Sequence, residues 1–149
     1  MNDLTFTNCK GKYLTFTKKI DFLKSIGSDE TSHSGRTLLE HLIGTSEKLK
    51  EMGAPQYLQD AGLFHSVYGT VSFMPDGGLV EDRQIIKDLI GDQAEEVAYW
   101  FCILDKPRNE NIWNIESDKL RQDLIMLEQA NQDDMSENNI MSWEEAYGI

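Results

Sequence analysis

His33, His41 and His65 are the only three histidines of the chain, and all fall within a stretch of 33 residues. His41 ends the run Arg36-Thr37-Leu38-Leu39-Glu40-His41. His65 lies 24 residues further on, in Ala61-Gly62-Leu63-Phe64-His65-Ser66, and both runs read as apolar and helical. Imidazole binds Zn, Mn or Fe, and a usable site needs about three protein ligands plus an open position for water or substrate. If the helix carrying His41 begins early, positions 33, 37 and 41 share a face, and His33 joins His41 with His65 arriving from a neighbouring helix. The competing reading is structural: a histidine on an apolar helix face is often a core residue hydrogen-bonded to a neighbour, with His33 in a surface loop. Arg36, one of few cations near the histidines, suits a phosphate or carboxylate, or else pairs with an acid at a helix start. Ser66 and Tyr68 read as pocket residues beside the histidines, and Glu40 as a solvated acid.

The wider pattern around these residues resembles the HD superfamily of phosphohydrolases. Gly35-Arg36-Thr37-Leu38-Leu39-Glu40-His41-Leu42-Ile43-Gly44-Thr45, followed by Leu49, Met52-Gly53, Leu58 and Ala61-Gly62-Leu63-Phe64-His65-Ser66, is similar to that family's first His, helix, glycine turn and Ala-Gly-Leu-Leu-His-Asp. Leu89-Ile90-Gly91-Asp92-Gln93-Ala94-Glu95-Glu96-Val97-Ala98 is similar to the Phe-Gly-x-x-Val-Ala helix of the guanosine tetraphosphate hydrolases. His65-Ser66-Val67-Tyr68-Gly69-Thr70 and Ala98-Tyr99-Trp100-Phe101-Cys102 look like a small group of HD-like proteins. The resemblance spans roughly residues 33–131.

What the resemblance implies is an all-α, HD-like helical bundle and one divalent metal (Mn, Fe or Zn) held by His41, His65, His33 and a late acid. Asp123 is the first candidate for that acid, with Asp105 and Asn131 as alternatives. Arg36, Ser66 and Tyr68 would complete a catalytic pocket for a small anionic, phosphoester-type metabolite, hydrolysed by metal-activated water. Two departures pull the other way: Ser66 stands where the family has Asp, and Gly69-Thr70 where the tetraphosphate hydrolases have Glu-Asp. A neutral hydroxyl is a poor metal ligand, so a mononuclear or metal-free site is expected. A non-catalytic binding or regulatory module with a degenerate pocket is therefore the alternative, and an iron-dependent oxygenase of HD type a further one.

The elements that would position these residues number about six or seven helices. Ile20, Phe22, Leu23 and Ile26 recur at helical spacing before Gly27, and Ser28–Gly35 is a polar loop. Further helices run from about Arg36 to Met52, from Pro55 through Val67, from Arg83 to Ile90, from Ala94 to Leu104 and from Asp118 to Asn131. Lys106–Asn114 reads as a connection, residues 132–149 as an acidic tail or helix, and 1–16 as an arm or hairpin. The long segment Tyr68–Val80, with Val71, Phe73 and Met74, is expected either to cover the pocket or to plug the core. The aromatic residues Trp100, Trp113 and Trp143 read as core or core-rim.

Composition narrows the partners. With 149 residues and 40% hydrophobic content, the chain fits one domain with one core. A formal charge of -12 opposes nucleic acid and anionic membranes, whose binding draws on Lys and Arg. No apolar run approaches the roughly 20 residues of a membrane span, and the first residues lack the pattern of a secretory signal. A cytoplasmic protein is expected, with Cys9 and Cys102 reduced and Cys102 filling the core.

Overall fold

A computed structural model of the chain describes residues 15–30, 32–33, 36–69, 82–104 and 108–138. The architecture is an all-α bundle. Helix α1 spans Phe16–Ser25, α2 Leu38–Glu51, α3 Gln56–Leu63, α4 Arg83–Ile90, α5 Asp92–Ile103, α6 Arg108–Asn111 and α7 Asp118–Asn138, with a 3-10 turn at Ile112–Asn114. The sequence-predicted arm at the N-terminus and all of the long segment beyond Gly69 lie outside the described residues, as does everything after Asn138.

Helix α2 sits at the centre, packed against α3 on one side and α7 on the other. Its start is fixed by a capping box: the Thr37 side chain accepts from the Glu40 backbone and Glu40 accepts from the Thr37 backbone. This arrangement is worth about 1 kcal/mol. The helix therefore begins two residues later than the apolar pattern suggests. Ahead of it, Ser32–His33 (β1) and Arg36–Thr37 (β2) form a small antiparallel ladder in which His33 is opposite Arg36. The expected helical face through positions 33, 37 and 41 consequently does not exist. Glu40, as expected, is exposed.

Two apolar clusters make the core. One joins Leu49, Leu58, Ala61, Val97, Phe101, Ile112, Leu124, Leu127 and Ala130, tying α2, α3, α5 and α7 together. The other joins Leu23, Leu38, Leu42, Leu63, Phe64, Val67 and Ile86 beneath α1 and α4. A buried ion pair of 2.9 Å, Lys19 Nζ to Asp60 Oδ1, crosses from α1 to α3. Burial pushes the Asp60 carboxyl above its ordinary range while Lys19 pulls it back. Gly91, at φ +90°, breaks the α4–α5 path as the sequence predicts, in a backbone region that side chains with a Cβ avoid.

Three elements differ from the sequence reading. Lys106–Asn114 contains the short helix α6 and the 3-10 turn, where Asn and Pro suggest only a connection. Helix α7 continues through what reads as an acidic tail, because Asn131, Asp134 and Met135 prolong the buried stripe of Leu124, Leu127 and Ala130. Trp113 is 66% exposed, not part of the core rim.

Candidate functional site

His41 and His65 come together. Their rings lie edge to face with centroids 5.1 Å apart, and both residues are buried, at 1% and 3% exposure. His41 is carried by the first turns of α2. His65 is not on a helix: α3 ends at Leu63 with Phe64 as its cap, and His65 lies in the turn beyond. The turn directs its ring inward, where Nδ1–H donates to the Gly62 carbonyl at 2.6 Å. That bond places the ring's lone pair at Nε2. The Phe101 ring of α5 stands edge-on against His65 at 5.2 Å, and Cys102 donates its thiol to the His65 carbonyl at 3.0 Å. Cys102 is a core residue, as expected, and burial pushes its thiol up to about 12.

His41 is held by α7 through both nitrogens. Nδ1 lies 2.7 Å from Asp134 Oδ2 and Nε2 lies 2.8 Å from Asn131 Oδ1. Both ring nitrogens are thus occupied by side chains of α7. Arg36 donates from Nη2 to the same Asp134 oxygen. A wholly buried carboxylate is thus matched by a guanidinium and an imidazole, which burial without partners would make costly. Burial in turn lowers the Arg36 pKa from its ordinary value.

Gly44 makes this possible. A Cβ at that position would lie 2.0 Å from Asp134 Oδ1, so only glycine lets α7 bring its carboxylate onto the α2 backbone. From Asn131 the network continues: its Nδ2 donates to Glu128 Oε1 at 3.4 Å, Gln132 Nε2 donates to Glu128 Oε2 at 2.8 Å, and Arg108 Nη1 reaches Glu128 Oε1 at 3.5 Å.

Among the candidates from sequence, His41, His65 and Arg36 belong to this constellation, and Asn131, one of the alternatives for the late acid, touches His41 directly. Asp123 does not join them. It accepts from the Tyr57 hydroxyl at 2.9 Å and lies eight residues along α7 from Asn131, about 12 Å of helix rise. Its place is filled by Asn131 and Asp134, each a full turn or more further on. Asp105 lies outside the described residues, and for His33 the structure describes the backbone in β1.

Ser66 is buried beside His65. Tyr68 is drawn elsewhere: its hydroxyl donates to Glu95 Oε2 at 2.6 Å, and Arg83 grips the same carboxylate through Nε at 2.6 Å and Nη2 at 2.8 Å. Burial and the Glu95 carboxylate push the Tyr68 phenol well above its ordinary value, which suits an anchor better than a proton donor.

Sequence reasoning missed Asp134, Glu128, Arg108 and Glu95. For Asp134 the signal lay in the stripe of α7 continuing through Asn131 and Met135; for the others, a charge in an acidic chain gave none.

Between α2 and α7 a groove of about 560 Å³ opens, lined by Arg36, Glu40, Glu47, Lys48, Asp134 and Glu137 among others. Carboxylates outnumber cations along it, so it does not favour entry of an anion. Among the described residues no three of His, Cys, Asp and Glu converge in a way that could hold an ion, and no helix is long and apolar enough to cross a membrane.

Residues 22–106 match the family described as Domain of unknown function (DUF6817), and the chain belongs to that family. No curated protein and no solved structure matches it.

Proposed function

We propose that this chain is a ligand-binding or regulatory module built on a degenerate HD-type pocket, taking a small anionic metabolite without needing a resident metal. One observation carries this reading: both nitrogens of His41 are engaged by α7, by Asp134 Oδ2 at 2.7 Å and by Asn131 Oδ1 at 2.8 Å. A metal ion would have to displace one of these partners to reach a lone pair of His41. Ser66 stands where the resemblance puts a bridging carboxylate, and Asn131 is an amide in place of a late acid, so the donor set does not fit a dinuclear centre. A mononuclear ion would require Asn131 to leave His41.

A second reading, a mononuclear metal-dependent hydrolase of a phosphoester-type metabolite, draws support from His65. Its Nδ1–H is held by a carbonyl, the orientation that commonly prepares Nε2 for a metal. The two readings separate by elemental analysis of protein purified without chelator and without a metal-binding tag. The module reading expects substoichiometric metal and no loss of fold or ligand binding after dialysis against EDTA. One tightly bound equivalent of Zn, Mn or Fe, lost in both His41→Ala and His65→Ala, would overturn it.

A further inference from the structure

Arg108 is 8% exposed, yet its hydrogen bonding is poor. Its guanidinium lies 4.1 Å over the Phe101 ring, the same ring that packs against His65. Its contact with Glu128 is a single one at 3.5 Å, the limit of a hydrogen bond. Among the described residues the buried Nε–H has no partner. Glu128 is occupied elsewhere, since it also accepts from Asn131 and Gln132. A guanidinium carries five donors in one plane, and its Nε edge, with the adjacent Nη, matches two oxygens of a carboxylate or phosphate side by side. Leaving such a donor buried and unmade is costly, so native proteins seldom do so without a reason.

We propose that Arg108 anchors an oxyanion site, its Nε edge receiving the phosphate or carboxylate group of a small ligand while Phe101 holds the guanidinium plane in place. This rests on the reading of the chain as a binding module and supplies the cation that Arg36, committed to Asp134, does not. The site is coupled to the histidines: Arg108 meets Glu128, Glu128 meets Asn131, and Asn131 meets His41. Burial holds the Glu128 carboxyl above its ordinary range, so this carboxylate is readily neutralised when an anion arrives.

The test is an NMR titration of the Arg108 Nε–Hε resonance, assigned by its absence in Arg108→Lys. Inorganic phosphate and acetate serve as probes, with chloride at equal ionic strength as the control. The expected result is a saturable shift with phosphate or acetate and none with chloride. Glu128→Gln, which removes the competing charge, should tighten binding about tenfold. If Arg108→Lys does not fold, assignment through the chain and Glu128→Gln still decide the matter.

An Arg108 resonance indifferent to both probes, an equal response to chloride, or no tightening in Glu128→Gln would overturn the proposal. A bound metal equivalent together with a responsive Arg108 would remove the metal-free reading alone. A metal-free protein with a silent Arg108 would remove this site alone.

Discussion

Two arginine–glutamate pairs in this bundle contain the same chemical groups and do different things. Arg83 presents Nε and Nη2 to the two oxygens of Glu95, lies 3.6 Å over the Tyr99 ring, and shares the carboxylate with Tyr68. Arg108 also lies over an aromatic ring, but touches Glu128 once, at 3.5 Å, and leaves Nε without a partner among the described residues. The first pair is a completed clamp: it ties the turn after His65 to the start of α4 through α5. The second is incomplete, and it is the one connected to His41. The difference teaches that a charge pair's role is read from its unmade bonds as much as from its made ones.

Replacing each arginine by methionine breaks or sharpens that comparison most forcefully. Arg83→Met leaves a wholly buried Glu95 carboxylate with Tyr68, and stability in urea should fall by about 3 to 5 kcal/mol. Arg108→Met removes an under-bonded guanidinium, and Glu128 can then take up a proton, so the loss should stay below about 1 kcal/mol. Equal losses would mean that the two pairs are equally structural.

Next in size is the contrast along α7. Asp134→Asn deprives both Arg36 and His41 of their counter-charge in a buried setting, and should cost about 2 to 3 kcal/mol by urea denaturation. Asp123→Asn, which keeps an acceptor for the Tyr57 hydroxyl at the bundle's other end, should cost less than about 1 kcal/mol.

Gly44→Ala should cost about 1 to 3 kcal/mol, since the new methyl group meets Asp134 Oδ1. Glycine inside a helix would otherwise favour the change by about 1 kcal/mol. Combined with Asp134→Ser, the penalty should largely disappear, a coupling that a double-mutant cycle measures directly.

The smallest expected effect is in pH dependence. Burial raises the folded-state Glu128 pKa above its unfolded value, so the native state holds that proton more tightly. The stability contribution is full below the ordinary carboxylate range and is lost as pH rises through the raised value. Relative to Glu128→Gln, the wild type should therefore lose stability as pH rises from the ordinary carboxylate range through the raised value. A difference between the two that is constant across this range would contradict it.

Much of the bundle was legible because periodicity survives in a sequence. Helix α4 was read to the residue, α1 was read with its Gly27 stop, and the pairing of His41 with His65 followed from their apolar surroundings together with the spacing of the resembled family. The boundaries that shifted did so for local reasons: the Thr37–Glu40 capping box overrides the apolar pattern at the start of α2, and the turn after Leu63 carries His65 off its helix. Asp123 was named ahead of Asn131, which is the one that reaches His41, and Asp134 was passed over because the two aspartates look alike in sequence. What distinguishes them is Gly44, 90 residues before Asp134, whose missing Cβ decides which carboxylate can approach α2. Arg108 and Glu95 were illegible for the same reason: a buried charge is defined by partners distant in the chain.

The central claim, that His41 serves α7 and not a metal, is tested most directly by observing its ring nitrogens. A two-bond nitrogen–proton NMR spectrum should show His41 with neither nitrogen metal-bound and His65 as the tautomer protonated at Nδ1. Neither pattern should change when one equivalent of Zn is added. A metal-bound shift of a His41 nitrogen, together with one of His65 Nε2 at substoichiometric Zn, would contradict the account.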